Sequence, residues 1–421
     1  MNNPTPSKRM WTQPWGYNEP LAIGFGLILT GFMLEVSQAK IVNLMFPYNV
    51  IFLSAFIGLL FALYLWFGKT VAVRWLLKVP SSICSIVLLT ALVMVMGIVP
   101  QEVSNNEIIN LLGLNRILNH WSFLLTLLYF LTCLGLVTIK RILVFKWSDF
   151  GFVLNHLGLF IVLTAGVLGT GDLQRLTINL YENKANLWAT DVHNKKIELP
   201  FAFYLKDFKM EEYPPKIAMV DNKSGKIVIN DGKNMFLIEA DKKYNFESYE
   251  VKIEQYFPSS VKVGADKYVP VNEQGSVPSA KIKVTDFKNG VVKTAWISCG
   301  SFRFPFEGLK IDENFSMVMT IPEPKKFSSD LDILTQEGER FPVRLEVNKP
   351  FEYDGWEIYQ LSYDEKMGKS SDMSVIELVR DPWLPVIYFG IFMMIFGAVY
   401  MFWIGNKIKS TDSLGEINLK L

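Results

Sequence analysis

Long apolar runs and short alternating runs divide this chain into two kinds of sequence. Six stretches are apolar enough to form membrane-spanning helices, which need about 20 mostly apolar residues. They lie at about 21–36, 50–67, 81–99, 121–139, 150–168 and 384–404. The first has a longer apolar core than a typical signal peptide, so we interpret it as a retained helix. The pattern predicts six transmembrane helices with a large polar insertion before the last.

Within the insertion, apolar and polar positions alternate with the period of a β-strand. The alternation is clear at Val251 and Ile253 and again at Ile282 and Val284, as in strands with one buried face. Turn-forming dipeptides separate such runs: Asp231-Gly232, Asn289-Gly290 and Asp354-Gly355. The sequence therefore predicts a membrane α-helical protein with a β-rich domain, folded as a sandwich or a curved antiparallel sheet.

Four segments follow from these patterns. Residues 1–78 are predicted to form an N-terminal two-helix membrane extension, and residues 79–170 a three-helix membrane core. Residues 171–383 form the predicted β-rich domain. Residues 384–421 hold the final transmembrane helix and a tail.

Lysine and arginine in the short loops predict the orientation, because cytoplasmic loops carry an excess of both. The N-terminus and the loops after the second, fourth and sixth stretches are basic: Lys8, Arg9, Lys69, Arg74, Lys78, Lys140, Arg141, Lys146, Lys407 and Lys409. The loops after the first and third stretches carry only Lys40 and Arg116. Both termini are therefore expected in the cytoplasm of a multi-pass inner (plasma) membrane protein, with 171–383 extracytoplasmic and membrane lipid around the helices.

Composition excludes several classes of protein. The formal net charge is +1, and no basic cluster with interleaved aromatics suggests nucleic-acid binding. Cys84, Cys133 and Cys299 form no CxxC or CxxCH motif, which argues against a disulfide framework, a zinc site and covalently attached haem. Glu35 is the only acidic residue within the predicted spans, which argues against an ion-coupled transporter.

His156 carries the strongest functional signal. It lies about two turns into the fifth stretch, which the loop charges place in the inner half of the bilayer. An ionisable residue there is a functional hypothesis by default, and neutral imidazole is a common ligand of haem iron. The alternative is a hydrogen bond to a neighbouring helix, with Asn155 helping. Small residues would let a helix or a flat macrocycle approach closely: Gly158, Ala165, Gly166 and Gly169.

The other two histidines give weaker signals. His120 begins the fourth stretch beside Trp121, where an interfacial polar residue is the simpler interpretation. A haem bound by two histidines would nevertheless need His120 or a residue from another chain. His193 lies in the polar stretch TDVHNKK and is interpreted as a solvated surface residue.

Five sequence pieces occur in a characteristic order between residues 79 and 404. The third stretch ends MGIVPQ, the fourth begins HWSFLLTLLYFLTC and ends at Lys140-Arg141, and the fifth carries His156 and Gly158. VNKPFEYDGWEIYQLSY then fills 347–363, and Asp381-Pro382 precedes the last stretch. In these pieces the chain resembles the ResB family, also called CcsB, of cytochrome c biogenesis proteins. That family usually has four spans, so the first two helices are additional.

The resemblance implies a membrane subunit of a cytochrome c maturation complex, a holocytochrome c synthase. Such a subunit works with a CcsA-like tryptophan-rich membrane protein, and the pair holds haem b transiently and non-covalently. It delivers the haem to apocytochrome c outside the membrane, where the vinyl groups react with the thiols of a CxxCH motif. His156 matches the family's intramembrane histidine and is the implied iron ligand, with His120 a second candidate for the haem site.

The resemblance also bears on what this chain does alone. It lacks a WGxxWxWD-like motif, so a separate CcsA-like chain is implied, and this chain is the non-catalytic or co-catalytic subunit of a haem lyase complex. Residues of the 347–363 stretch are interpreted as shaping a turn and a strand: Asn348, Pro350, Tyr353, Gly355, Tyr359 and Gln360. The alternative function is a haem-independent assembly factor or scaffold whose outer domain binds a partner protein.

Overall fold

The computed structural model describes residues 11–228, 235–246, 248–264 and 266–418, with the backbone alone beyond residue 403. The chain forms two compact units. The helical unit comprises Met1–Leu173 and Asp381–Leu421, and the β unit comprises Gln174–Arg380.

Eight α-helices lie in the described part of the helical unit: α1 (Asn18–Val36), α2 (Tyr48–Phe67), α3 (Val71–Leu76), α4 (Val79–Ile98), α5 (Glu107–Leu111), α6 (Trp121–Leu143), α7 (Phe150–Leu168) and α8 (Leu384–Asn418). Short 3-10 turns connect some of them: Leu114–Asn119, Trp147–Asp149 and Gly169–Gly171. Six helical segments are long and apolar enough to cross a membrane: Asn18–Val36, Tyr48–Phe67, Val79–Ile98, Glu107–Leu143, Trp147–Gly171 and Leu384–Trp403. The prediction of six transmembrane helices is confirmed.

Helix α6 is the centre of the helical unit. Leu127, Leu134 and Leu136 on this helix are buried, and they pack in one cluster with Leu60 of α2 and Phe160 of α7. Helix α2 contributes little else to the interior, because Asn49 and Leu60 are its only buried residues among those described. Of the two additional helices, α1 therefore has more buried residues than α2, and most of α2 is exposed.

Helices α7 and α8 pack backbone to backbone. A Cβ atom on Gly158 would lie 2.6 Å from the carbonyl oxygen of Gly390, and one on Gly397 would lie 2.8 Å from that of Gly151. The glycines are seven residues apart on each helix, so they line one antiparallel seam of the kind that small residues allow between membrane helices. The neighbour that approaches Gly158 is thus a helix.

The β unit contains seventeen strands in its described residues: β1 (Gln174–Tyr181), β2 (Ala185–Asp191), β3 (Lys196–Glu212), β4 (Lys216–Asp221), β5 (Phe236–Leu237), β6 (Lys243–Phe246), β7 (Tyr249–Lys262), β8 (Tyr268–Pro270), β9 (Val277–Asp286), β10 (Val292–Ser298), β11 (Leu309–Lys310), β12 (Phe315–Met319), β13 (Pro324–Thr335), β14 (Arg340–Glu346), β15 (Phe351–Tyr353), β16 (Trp356–Tyr363) and β17 (Met373–Arg380). They form an eight-stranded sheet in the order β14-β13-β3-β2-β1-β17-β16-β15. A five-stranded sheet runs β10-β9-β7-β6 with β8 paired to β7, and a four-stranded sheet runs β11-β12-β4-β5. The predicted β-rich fold is confirmed.

Alternation along the strands builds the cores of the β unit. Val251 and Ile253 on β7 and Ile282 on β9 are fully buried and share a core with Met219 and Met317 from the four-stranded sheet. The two smaller sheets therefore pack together as a sandwich.

The predicted turn dipeptides can also be located. Asn289-Gly290 lies between β9 and β10, and Asp354-Gly355 lies between β15 and β16. Asp231-Gly232 lies outside the described residues.

Candidate functional site

His156 lies in the second turn of α7. The helix starts at Phe150, so His156 is about 9 Å along its axis at about 1.5 Å per residue. Its ring stacks on that of Phe152, with centroids 3.7 Å apart. At this end of the helical unit, Arg141 Nη1 lies 2.9 Å from Asp149 Oδ1 and the guanidinium lies 5.2 Å from the centre of the Phe152 ring.

The hydrogen bond of His156 determines which ring nitrogen is free. Nδ1 lies 2.9 Å from the carbonyl oxygen of Phe152, one turn earlier. A carbonyl can only accept, so Nδ1 carries the proton and Nε2 presents a lone pair. Nε2 has no hydrogen-bond partner among the described residues. An imidazole oriented by an N–H to carbonyl bond is the usual form of a metal-binding histidine, so this residue fits an iron ligand.

The glycine seam sets the direction of the imidazole. His156 and Gly158 are two positions apart, or about 200° around a helix with 3.6 residues per turn. Because Gly158 is pressed against α8, His156 projects from the opposite side of α7 and is half-buried. Asn155 does not assist it, since its Nδ2 donates to the carbonyl of Met394 on α8 at 3.2 Å.

His120 occupies a different environment. It is fully buried and caps the N-terminus of α6, where Nδ1 accepts from the backbone N–H of Ser122 at 2.9 Å. Nε2 then carries the proton and donates to the carbonyl of Leu112 at 3.0 Å. Both nitrogens are used by the fold, so a ligand role for His120 would require one of these bonds to break.

The structure does not bring His120 and His156 together. Helix α6 has 23 residues, about 35 Å at about 1.5 Å per residue, and His120 is at its start. His156 lies near the start of α7, which follows the far end of α6. The two imidazoles are therefore at opposite ends of the helical unit and cannot bind one iron. His193 is exposed in the β2–β3 turn of the β unit.

A polar cluster at the end of α7 was missed by reasoning from sequence. The carboxylate of Asp172 accepts from the backbone N–H of Phe46, from Asn49 Nδ2 and from Trp383 Nε1, each at 2.7 Å. Asn49 Nδ2 also donates to the carbonyl of Leu168 at 3.1 Å. Burial alone would raise the pKa of Asp172, but these hydrogen bonds outweigh burial and lower it. Asn49, directly before the apolar stretch at 50–67, was the available signal.

The stretch at 347–363 has a structural explanation. Asp354 and Gly355 both have positive φ, 50° and 75°, as a two-residue type I′ hairpin turn requires. The buried Gln360 accepts from Ser329 Oγ at 2.6 Å and its Nε2 donates to Ser374 Oγ at 3.1 Å. These residues shape a hairpin and bind neighbouring strands, as interpreted from sequence.

Fold and site together define a multi-pass membrane protein with a β unit inserted between two helices and a histidine within one of them. The model of the ResB-like family matches residues 146–374, more than half of the chain. The match includes His156 and the 347–363 stretch, and α1 to α6 precede it. No curated protein matches the sequence. The chain belongs to the ResB-like family, and this membership gives it a general role in cytochrome c biogenesis.

Proposed function

We propose that this chain is the haem-handling membrane subunit of a cytochrome c maturation complex, in which His156 Nε2 binds iron. The observation that carries the proposal is the hydrogen bond from Nδ1 to the Phe152 carbonyl. It holds the neutral tautomer with Nε2 available, which is the form that coordinates iron. An intramembrane imidazole without another partner also gains from a ligand.

The cargo in this proposal is haem b, which supplies vinyl groups for attachment to the cysteine thiols of apocytochrome c. Loop charges support a cytoplasmic location for the end of α6, where Lys140, Arg141 and the following Lys146 lie, so haem is held in the inner half of the membrane. Arg141 lies beside Phe152 at this end and offers a guanidinium to a haem propionate. The β unit is then extracytoplasmic.

A CcsA-like tryptophan-rich partner completes the proposed site. Because His120 is at the opposite end of the helical unit, a second ligand to the iron would come from that partner. The β unit holds apocytochrome c near the membrane and raises its effective concentration at the site of attachment. This chain positions haem and apocytochrome, so it is the non-catalytic or co-catalytic subunit of the complex.

The test is haem binding by the complex purified with its CcsA-like partner. We expect His156→Ala to lower haem affinity, read from a haem titration followed in the Soret band, by at least about tenfold, since even loss of an outer-shell contact costs about 10–100-fold in metal affinity. His193→Ala is the matched control, because that histidine is exposed, and it should retain full occupancy. Added imidazole should restore part of the Soret band of His156→Ala by occupying the vacated ligand position.

Full haem occupancy in His156→Ala, with normal maturation of c-type cytochromes, would contradict the proposal. The alternative of a haem-independent scaffold would then be preferred, with the β unit as its binding module. Loss of maturation without any change in haem occupancy would also support the scaffold.

A further inference from the structure

Two adjoining cavities lie where the additional helices meet the rest of the helical unit. The first, of about 580 Å³, has a lining of mixed polarity, whose polar members include Glu35, Lys40, Asn43, Arg116 and Asn119. The second, of about 510 Å³, is mainly apolar and is lined by residues of α2, α6 and α7 that include Phe52, Phe56, Leu127, Leu131 and Val167. Both volumes are in the usual range for ligand sites, about 300–1,000 Å³.

The two cavities are contiguous. Ile41, Asn43 and Asn119 line both of them, so a polar opening leads into an apolar interior. The opening is formed by the α1–α2 connection and by residues before α6. The interior lies between segments that are long and apolar enough to span a membrane. This arrangement matches a ligand with a polar head and an apolar body.

The polar opening carries one uncompensated positive charge. Glu35 is 7% exposed and pairs with Arg116, whose Nη2 lies 2.7 Å from Glu35 Oε1. Their charges cancel. Lys40 is exposed and has no ion-pair partner among the described residues. A group with a single negative charge, such as a phosphodiester, therefore fits the opening.

The apolar cavity explains how α2 could pack with so few buried residues. In hydrocarbon an open gap between helices loses dispersion contacts, and the surrounding membrane supplies acyl chains to fill it. Gly166 of α7 lines this cavity, and a Cβ atom there would meet no atom within 4 Å. The gap therefore has room beside α7.

The geometry points to a glycerophospholipid site, which we propose as a further function of the additional helices. The phosphate lies at Lys40 and an acyl chain fills the cavity between α2, α6 and α7. Haem fits less well, since no His, Cys or Met lines either cavity. A quinone head is uncharged and would leave Lys40 without a counter-ion. The bound lipid completes the packing of α2, independently of any haem at His156.

The test measures phospholipid that remains on the purified full chain after washing in mild detergent, by mass spectrometry of an organic extract. Gly166→Leu should place a side chain where the acyl chain would lie in the cavity and remove most of the retained phospholipid. Gly26→Leu is the matched control, because Gly26 is also an exposed helical glycine with no atom within 4 Å of a Cβ. It should retain the wild-type amount.

A second pair of variants tests the polar opening. Phosphatidylglycerol in detergent micelles is titrated onto delipidated protein. Lys40→Glu should weaken its binding by about threefold or more, the effect of losing one exposed ion pair. Lys69→Glu reverses another exposed lysine outside the cavities and should change nothing. If Gly166→Leu does not fold, the comparison of Lys40→Glu with Lys69→Glu tests the lipid site by itself.

Three results would overturn the proposal. Equal retention in Gly166→Leu and wild type would show that the cavity holds no lipid. Equal loss in Gly166→Leu and Gly26→Leu would show only annular lipid. A quinone or haem in the wild-type extract that disappears in Gly166→Leu would identify a different occupant.

Discussion

The Asp172 cluster gives the sharpest stability prediction, because one side chain joins three parts of the helical unit. Asp172→Ala removes the acceptor of the Phe46 N–H, Asn49 Nδ2 and Trp383 Nε1. A hydrogen bond to a charged group contributes about 1.5–3 kcal/mol. Asp172 is only partly buried and Asn49 keeps its bond to Leu168, so the total should fall below the roughly 4.5–9 kcal/mol that three full-strength bonds would give. We expect a loss of about 2–4 kcal/mol.

The assay is equilibrium or thermal unfolding of the purified chain in detergent, compared with Asp149→Ala. Asp149 pairs with Arg141, whose side chain is 49% exposed, and exposed pairs contribute about 0.2–1 kcal/mol. The Asp172 variant should therefore be clearly less stable than the Asp149 variant. Equal stability of the two would refute the idea that the cluster holds α2 to the ends of α7 and α8.

The pH dependence adds an independent check on Asp172. Hydrogen bonding lowers the pKa of its carboxyl in the folded chain, so the folded state binds this proton more weakly than the unfolded state. The stabilisation is then fully present above the unfolded pKa, about 3.9, and is lost as the pH falls through the folded pKa. The assay is run between about pH 5 and 8 and then at lower pH. The difference in free energy of unfolding between wild type and Asp172→Ala should be constant over the first range and shrink only below about pH 4.

Two further predictions follow from the helix seam and from the buried thiol of the β unit. Gly158→Ala should destabilise the chain by about 1–3 kcal/mol through overpacking against Gly390, whereas Gly26→Ala should be neutral or slightly stabilising, as glycine-to-alanine changes in open helix positions are. Equal thermal stability of the two variants would contradict the seam. Burial raises the pKa of Cys299 to about 11, so iodoacetamide at pH 8 should modify it only after denaturation. Rapid modification of the folded chain, mapped by mass spectrometry, would contradict this expectation.

The sequence predicted the helices well because the membrane imposes a strong and local signal. A helix must satisfy its own backbone in hydrocarbon, so each span is visible as one uninterrupted apolar run. The β unit was predicted only as a class. Its strand order depends on pairings such as β1 with β17, which join residues about two hundred positions apart and leave no local trace.

In the candidate site, too, the sequence revealed what depends on a local run of residues and not what depends on contacts between distant ones. His156 was identifiable because an imidazole in an apolar run is conspicuous, but the free nitrogen depends on rotamer and hydrogen bonding. The direction of the ring depends on the contact between Gly158 and Gly390, and the sequence left open whether a helix or a macrocycle approached Gly158. Asp172 and Trp383 are 211 positions apart, so their contact could not be foreseen from either stretch alone.

A large β unit is inserted between α7 and α8, yet the position of His156 can stay fixed. The reason is that the two chain segments leading into and out of the β unit are joined to each other, once within each unit. Within the β unit, Gln174 at the start pairs with Arg380 at the end, so the chain enters and leaves at neighbouring positions. Within the helical unit, Trp383 donates to Asp172, so the segment just after α7 and the residue just before α8 are also held together. The glycine seam from Gly151 to Gly158 on α7 and from Gly390 to Gly397 on α8 can then form. The position of the His156 ring is thus determined by helix packing inside the helical unit, and changes confined to the β unit should leave it unaltered.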